Sequence, residues 1–263
     1  MLGEVINDNQ PLVSIVIPTY NYGRFISDAI ESALGQSHEN IEVLVVDDGS
    51  TDDTATIVQQ YGARLSYFPL THQGVSSVRN YGILKANGKY IVCLDSDDKL
   101  DENYVEKALA LLEVQSSSCG YVFTQAQCFG ASDYTTQFPG FNLDFLKITN
   151  CITASCLVKS DVAKNHPYDD RLNVMEDWDF YLTLAEHGIG GILLNEPLYQ
   201  YRKHLDGGST LDNVTEREKL RQGHIIFRKH RKIYGVLRTM YGEAWYLIQG
   251  AKERYCNTGS KRV

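Results

Sequence analysis

Short runs of β-branched residues alternate with segments of helical spacing along the first 115 residues. Runs at 12–18, 41–46 and 90–94 predict buried strands, and the spacing of apolar positions at 24–36 and 103–115 predicts helices. Strands that alternate with helices in this way form an open, mostly parallel sheet flanked by helices. The sequence therefore predicts an α/β, Rossmann-like fold. Further elements of the same pattern are helices at 51–61 and 76–87 and a short strand at 64–68.

The pattern is looser after residue 115. Strands are expected near 119–124, 152–158 and 191–194, and a helix is expected at 176–187, where Gly188 ends it. Residues 214–255 show mainly helical spacing. We expect a main domain over residues 1–210, made of the halves 1–115 and 116–210, followed by a helical C-terminal appendage over 211–263.

Polar side chains follow three of the predicted strands, at the point where each strand ends. They are Thr19-Tyr20-Asn21, Asp47-Asp48 and the cluster from Asp95 to Asp98. In open α/β sheets ligands bind at the carboxyl ends of the strands. The sequence therefore predicts one ligand crevice that is built by three loops.

Charge is distributed unevenly along the chain, whose formal net charge is −8. Residues 1–214 carry 13 Lys/Arg against 29 Asp/Glu, whereas residues 215–263 carry 12 against 4. The acidic body argues against a nucleic-acid-binding protein. The basic tail suggests a contact with a membrane surface or a partner, or else a helix that packs against the acidic body.

Cysteine spacing and hydropathy bear on the compartment. The six cysteines form no CxxC pair, which argues against a zinc or redox site. No run approaches the roughly 18–20 apolar residues that span a bilayer, and residues 1–14 lack the pattern of a signal peptide. We expect a cytoplasmic protein that could contact the inner face of a membrane through its basic tail.

The stretch from Ser14 to Thr54, SIVIPTYNYGRFISDAIESALGQSHENIEVLVVDDGSTDDT, closely resembles the opening of the family 2 glycosyltransferases, inverting enzymes of the GT-A fold. The resemblance continues at 74–80 (GVSSVRN), 88–98 (GKYIVCLDSDD) and 176–178 (EDW), and it covers roughly residues 12–205. It implies transfer of a sugar from a nucleotide-diphosphate donor, with a UDP-sugar favoured, to an acceptor hydroxyl. The expected setting is surface polysaccharide or glycolipid synthesis, with a saccharide or lipid-linked saccharide as acceptor. Residues 1–115 would bind the donor, and residues 116–210 would shape the acceptor side.

Asp95-Ser96-Asp97 matches the DxD motif of that family. Carboxylates alone would repel an anionic donor, so this cluster needs a divalent cation, and such cations take oxygen ligands. By the resemblance, Asp97 binds Mn²⁺ or Mg²⁺ and Asp95 lies near the ribose or donor sugar, with Ser96 between them. The alternative is a purely structural role, in which this polar strand end caps the next helix. His204 could reach the metal or diphosphate, as a histidine does in some relatives, or be a solvated loop residue.

Tyr20 and Asp48 are the candidates for binding the nucleobase. An aromatic ring can stack on a base, and a carboxylate can accept a hydrogen bond from a pyrimidine N–H. The resemblance assigns these roles to the two residues, and each could instead be an ordinary loop or turn residue. The weaker candidates on the nucleotide side are Pro18, Thr19, Asn21, which could simply shape the turn, and Arg79, which could equally be a solvated helix arginine.

Asp177 is the candidate general base, because an inverting transfer needs one carboxylate within reach of the acceptor hydroxyl. The family match assigns this role to the Asp of the Glu176-Asp177 pair. A carboxylate at a helix start is also expected as a cap, so one of the pair could cap while the other works. Glu176 and Trp178 would lie on the acceptor side, although Trp178 could be a core residue. Gly207 and Gly208 would suit a mobile lid.

Other functions fit the sequence less well. A nucleotidyltransferase would show a basic Gly-rich loop after the first strand, and a dinucleotide-dependent dehydrogenase would show GxGxxG, which the chain lacks. A phospho-receiver domain would leave the DxD and ED motifs without a role. The main alternative is a non-catalytic nucleotide-sugar-binding module of glycosyltransferase ancestry.

Overall fold

The computed structural model of the 263-residue chain describes residues 10–205 and 214–234. Strands and helices alternate through the first half, as the sequence predicts. The strands of this half are β1 (Val13–Thr19), β2 (Ile41–Asp47), β3 (Ser66–Pro69), β4 (Tyr90–Cys93) and β5 (Lys99–Leu100). The helices are α1 (Gly23–Leu34), α2 (Thr54–Gln59), α3 (Val75–Lys85) and α4 (Tyr104–Glu113), with a 3-10 turn at Gly62–Arg64.

The second half contains longer strands and shorter helices. Its strands are β6 (Cys119–Gly130), β7 (Tyr134–Thr135), β8 (Leu157–Lys159) and β9 (Gly190–Lys203). Its helices are α5 (Leu143–Leu146), α6 (Ser160–Asn165), α7 (Glu176–Glu186), α8 (Glu216–Lys229) and α9 (Arg231–Tyr234). Among residues 10–205 and 214–234, no helix is long and apolar enough to cross a membrane.

All strands belong to one sheet, in the order β3-β2-β1-β4-β8-β6-β9-β5, with β7 paired to β6. The first four strands are parallel, as expected. The second half is mixed, because β8 runs antiparallel to both of its neighbours while β6 and β9 are parallel. The expectation of a mostly parallel sheet therefore holds for β1 to β4, whereas β8 is antiparallel to its neighbours and β5 is antiparallel to β9.

Helices cover both faces of the sheet, which explains why β1 is buried along its whole length. On one face, Ile15 and Ile17 pack with α1 and α4 residues such as Ile26 and Tyr104. On the other face, Val16 packs with residues of α3, α7 and α8. The period-2 alternation of a strand sends neighbouring side chains into these two cores.

Residues 152–156 are not a strand, which corrects the expectation of one over 152–158. They form a buried segment whose carbonyls accept hydrogen bonds from tyrosine hydroxyls. Thr153 O accepts from Tyr181 at 3.0 Å, and Ser155 O accepts from Tyr104 at 2.8 Å. An apolar run predicts burial, but it does not reveal which groups satisfy the backbone.

Helices α8 and α9 pack onto the main domain. Ile226 and Phe227 are buried in the core that contains Trp178 and Phe180 of α7. Lys229 donates to the buried Asp179 at 2.6 Å. The alternative in which the tail packs against the acidic body therefore describes residues 214–234. The predicted boundary near residue 210 stays a prediction.

Candidate active site

The carboxyl ends of β1, β2 and β4 meet at one edge of the sheet, because the three strands are parallel and Thr19 lies opposite Asp47. The loops that follow these strands enclose a cavity of about 620 Å³. This is the single crevice that the sequence predicts. The predicted site residues that line the cavity are Pro18, Thr19, Tyr20, Asp48, Arg79, Asp95, Ser96, Asp97 and Glu176.

At one end of the cavity the Asp48 carboxylate holds the loop that precedes α3. Oδ1 accepts from the backbone N–H of Gln73 at 2.7 Å, and Oδ2 accepts from that of Gly74 at 2.9 Å. Gly74 has φ +93°, and a Cβ there would lie 3.1 Å from the Asn173 side chain. A glycine is therefore required to bring the loop up to Asp48.

Tyr20 stands at the mouth of the cavity with 41% of its surface exposed. The His72 ring stacks on it, with 4.3 Å between centroids, and His72 Nδ1 lies 2.8 Å from Asp48 Oδ2. His72 thus makes the stacking and carboxylate contacts that the sequence assigns to a nucleobase. Nearby, the buried Thr19 hydroxyl has no hydrogen-bond partner among the described residues.

Arg79 is buried rather than solvated. Its guanidinium donates to Asp95 Oδ1 at 2.6 Å and, through Nη1, to Glu176 Oε1. Burial alone would lower the pKa of Arg79, but these two carboxylates raise it well above its usual value. Arg79 therefore links the DxD motif to the ED motif as a fixed positive charge.

Asp97 and His204 lie side by side, with 2.7 Å between Oδ2 and Nε2. Burial raises the pKa of Asp97, and the negative charge of Asp95 raises it further. His204 directly follows β9, and its ring packs 5.1 Å from that of Phe25. The structure thus brings together the two residues that the sequence suggests for the metal.

The loop around Asp97 is held by the end of β9. Asp98 is buried, and it accepts from the Arg202 backbone N–H at 2.7 Å and from the Tyr199 hydroxyl. Arg202 Nε in turn donates to Asp97 O at 2.6 Å. Burial and the charge of Asp97 raise the pKa of Asp98 well above its usual value. Asp98 is thus a structural carboxylate, although it lies within the acidic cluster.

Helix α7 begins with Glu176 and Asp177, directly after Met175 in the left-handed conformation (φ +59°). A non-glycine residue in that region costs about 1–2 kcal/mol, a strain found mainly at functional sites. Asp177 is partly exposed, and its Oδ1 accepts from the Trp178 backbone N–H at 2.7 Å. Burial, and then the charge of Glu176, raise the pKa of Asp177 to about 7.

Four predicted site residues do not line the cavity. One of them, His204, reaches it only through its contact with Asp97. Asn21 is exposed and shapes the turn, since its Oδ1 accepts from the Thr51 backbone N–H at 2.7 Å and its φ is +55°. Trp178 is a core residue, because it faces α8 and its indole N–H donates to Leu146 O at 2.6 Å. Asp177 lies next to Glu176, which does line the cavity. The predicted lid, Gly207 and Gly208, lies outside the described residues.

Sequence reasoning missed five cavity residues. Tyr22, His72, Gln73, Asn173 and Tyr201 line the cavity, and of these only Tyr22 lies within a stretch that the sequence singles out. Burial raises the pKa of Tyr22, as does the nearby Asp97. Position alone could have suggested Tyr22, because it follows β1 within the first polar loop. No sequence signal identifies Asn173.

The donor set suits a hard divalent cation. The cavity carries five acidic side chains, and only Arg79 among its lining residues is a permanent cation. Asp97 would offer a carboxylate oxygen and His204 an imidazole nitrogen, ligands that Mn²⁺ accepts. Within residues 10–205 and 214–234, no three His, Cys, Asp or Glu side chains form a complete metal cage. Partial coordination of this kind leaves positions for phosphate oxygens and water.

Several relatives are similar in sequence. An uncharacterized glycosyltransferase of Rickettsia typhi is 41% identical over 120 residues, which are 44% of this chain and 38% of that protein. The putative teichuronic acid biosynthesis glycosyltransferase TuaG of Bacillus subtilis is 29% identical over 252 residues, which are 92% of this chain and 96% of TuaG. The chain spans less than half the length of the Rickettsia relatives that it matches.

Two solved structures share the fold. S. aureus TarS 1–349 in complex with UDP-GlcNAc superposes with a TM-score of 0.68 at 20% identity, covering 82% of this chain and 65% of TarS. The mannosyltransferase PcManGT of Pyrobaculum calidifontis, in complex with GDP-Man and Mn²⁺, gives a TM-score of 0.63 at 15% identity, covering 97% and 77%. These likenesses confirm the GT-A fold.

The sequence profile of glycosyl transferase family 2 matches residues 14–165, more than half of the chain. The four predicted motifs meet around the cavity described above. The resemblance noted in the sequence is thereby confirmed, and the chain belongs to glycosyl transferase family 2.

Proposed function

We propose that this glycosyltransferase moves a sugar, with inversion, from a UDP-sugar to a hydroxyl of a saccharide or lipid-linked saccharide, and that it needs Mn²⁺ or Mg²⁺. One observation carries the proposal. A single cavity joins the Tyr20 and Asp48 end to Asp97 and Glu176, and its carboxylates outnumber its cations. An anionic donor can enter such a cavity only together with a cation.

In this proposal Tyr20 and Asp48 hold the base, and Thr19 supplies a free hydroxyl near it. Asp97 and His204 hold the metal, which when bound acts as a Lewis acid that neutralises the leaving diphosphate. Asp95 faces the ribose or the donor sugar, and Arg79 fixes its orientation. Apart from His204, which contacts Asp97, the residues in these roles line the described cavity.

Asp177 is the proposed base. The acceptor oxygen attacks the anomeric carbon while its proton moves to Asp177. The bond between that carbon and the diphosphate breaks, and its electron pair leaves with the nucleoside diphosphate. A pKa of about 7 suits this role, because a base works best when its pKa lies near the working pH.

The ligands and names of the relatives support the choice of substrates. TarS binds UDP-GlcNAc and UDP, PcManGT binds GDP-Man and Mn²⁺, and TuaG is a putative teichuronic acid biosynthesis enzyme. GgaB of Bacillus subtilis, a minor teichoic acid biosynthesis protein, is 29% identical over 216 residues. We therefore extend the proposal to an acceptor in cell-wall or surface polysaccharide synthesis.

A nucleotide-sugar screen tests the function. Released nucleoside diphosphate is measured with each sugar donor, in Mn²⁺, in Mg²⁺ and in EDTA, with and without oligosaccharide acceptors. We expect one UDP-sugar to be turned over, EDTA to abolish the reaction and added Mn²⁺ or Mg²⁺ to restore it. Full activity in EDTA would contradict the metal requirement. Calorimetric UDP binding without turnover of any donor would instead support a non-catalytic binding module.

We also propose a peripheral contact of the basic tail with anionic lipid. Its support is charge alone, since Arg228, Arg231 and Lys232 are exposed while Ile226 and Phe227 are buried. The contact would therefore be electrostatic, without insertion of these apolar side chains.

A further inference from the structure

Asn150 lies beside Asp177, on the segment between α5 and β8. Its Nδ2 donates to Asp177 Oδ2 at 2.8 Å, and its Oδ1 accepts from the Ile152 backbone N–H at 3.2 Å. A backbone N–H can only donate, so the amide oxygen must face Ile152 and the NH₂ group must face Asp177. The contacts of Asn150 therefore fix the orientation of its amide.

The segment that carries Asn150 is fastened to α7 on both sides of this contact. Before it, Leu146 O accepts from the Trp178 indole at 2.6 Å. After it, Thr153 O accepts from the Tyr181 hydroxyl at 3.0 Å. Trp178 and Tyr181 lie on the same helix as Asp177, so α7 carries both the carboxylate and the groups that hold its partner in place.

The contact leaves Asp177 able to take a proton. An ionised carboxylate has about four acceptor positions. In the structure the Asn150 amide uses one of them and the Trp178 backbone N–H uses another. An acceptor hydroxyl can therefore still bond to Asp177 while the amide holds the carboxylate in one rotamer.

We propose that Asn150 is a positioning residue for Asp177, which fixes the direction of the carboxylate and favours its charged, proton-accepting form. The inference rests on the proposed function, in which Asp177 is the base. A hydrogen bond donated to a carboxylate stabilises the ionised form and so opposes the effects of burial and of Glu176.

The decisive variant is Asn150→Asp, because it has the same shape and keeps an oxygen for the Ile152 N–H. It replaces the donor facing Asp177 with a second carboxylate, and like charges in contact raise a pKa. We expect the acid limb of kcat/KM against pH to move up by about one pH unit. At pH 7 we expect kcat to fall roughly 10–100-fold, the scale typical of substitutions in residues that orient metal ligands by hydrogen bonds.

A second readout does not need activity. In protein labelled with ¹³C at the Asp carboxyl carbons, Asp177 is assigned from the spectrum of Asp177→Asn and titrated by NMR. Asn150→Asp should raise its pKa in the same direction as the kinetic shift. Asn150→Ala removes the donor without adding charge. It should also raise the pKa of Asp177 and the acid limb of kcat/KM, but by less than Asn150→Asp does.

Asn142→Asp is the matched control. Asn142 precedes α5 as its N-cap, is exposed, and accepts from the Phe145 backbone N–H at 3.0 Å, a contact that an aspartate also makes. The control should leave the pH profile and the Asp177 titration unchanged.

An Asp177 titration and an acid limb that Asn150→Asp and Asn150→Ala both leave unmoved would overturn the inference. That result in an active enzyme would leave the proposed function intact. If the Asp177 titration shifts in these variants but the wild-type protein transfers sugar from no donor, the proposed function is wrong. Asp177 then has no role as a base.

Discussion

Asp177 shows how a single side chain can combine a structural and a chemical role. It bonds the first turn of its own helix through the Trp178 N–H, as the capping alternative requires. Burial and the neighbouring Glu176 also raise its pKa to about 7. The unfolded chain has a lower pKa, so ionised Asp177 is less favourable in the folded protein above pH 7. The base form is populated above that pKa and is lost as the pH falls through it.

Asp177→Asn should separate binding from chemistry. The amide keeps the size of the side chain but cannot take a proton at neutral pH, so we expect kcat to fall about 10²–10⁴-fold. UDP affinity in Mn²⁺ should change little, because a base acts mainly in the transition state. Steady-state kinetics and titration calorimetry measure the two quantities. A folded Asp177→Asn protein with near-normal kcat would exclude Asp177 as the base and leave Glu176 as the next candidate.

His72 should compete with the nucleobase. Its ring occupies one face of Tyr20 and its Nδ1 contacts Asp48, the two groups proposed to hold the base. We expect His72→Ala to bind UDP several-fold more tightly, because binding no longer has to displace the imidazole. The matched control is His187→Ala, because His187 is exposed. His38→Ala would not serve, because His38 is buried and its Nε2 lies 2.9 Å from Pro11 O. Weaker UDP binding by His72→Ala would show that the histidine contacts the base directly.

At the scale of elements, the contacts of α7 and α8 determine how the ED motif is held. Asp179, one turn into α7, is completely buried and accepts from Lys229 Nζ at 2.6 Å, with His230 Nε2 2.9 Å away. Gln222 of α8 contacts the segment before α7, where its Oε1 accepts from the Asn173 backbone N–H at 3.2 Å. Asn173 lines the cavity. Helix α8 thus supports the cavity wall as well as the start of α7.

Phe227→Ala should destabilise the whole main domain. The ring is 4% exposed and packs edge-on against Trp178, with 6.1 Å between centroids. Removing a core phenylalanine costs about 3–5 kcal/mol, so the denaturant midpoint should fall clearly. Arg228→Ala, a change at the exposed neighbour, should alter the free energy of unfolding by less than about 0.5 kcal/mol. Equal midpoints for Phe227→Ala and the wild-type protein would mean that α8 does not belong to the cooperative core.

At the scale of the whole molecule, the charge asymmetry has two consequences. Part of the positive charge of the tail is used internally, since Lys229 pairs with Asp179. Within residues 214–234, other basic side chains are exposed on α8 and α9, among them Arg228, Arg231 and Lys232. An acidic body with such an exposed basic patch can approach an anionic surface in only one orientation.

Liposome flotation tests the proposed membrane contact. Each basic residue near an anionic surface is worth roughly 1 kcal/mol, so we expect weak flotation on anionic vesicles that is lost at high salt. The variant Arg228→Gln, Arg231→Gln, Lys232→Gln should float less, and a matched variant of Lys85, Lys89 and Lys159, which lie on the body, should not. Equal flotation on neutral and anionic vesicles, or none on either, would remove the electrostatic contact.

Much of the first half of the chain follows from the sequence alone. Buried strands at 12–18, 41–46 and 90–94 correspond to β1, β2 and β4 within a residue or two. Once these strands are parallel, the polar residues after them must meet at one edge, so the crevice follows from local patterns. The second half was harder to predict because its backbone is satisfied irregularly, as at Ser155 and Thr153, where tyrosine hydroxyls replace a neighbouring strand.

The sequence by itself determined the fold class, the position of the crevice and half of the residues that line it, because strand periodicity and motif spacing are local properties. Only the tertiary structure decided the partners of those residues. Arg79 meets Glu176 from 97 positions away, His204 meets Asp97 from 107, and Asn150 meets Asp177 from 27. Such pairings depend on how helices and loops pack across the sheet, and no local pattern encodes that packing. For the same reason the structure, rather than the sequence, distinguished the core residue Trp178 from the cavity residue Asn173.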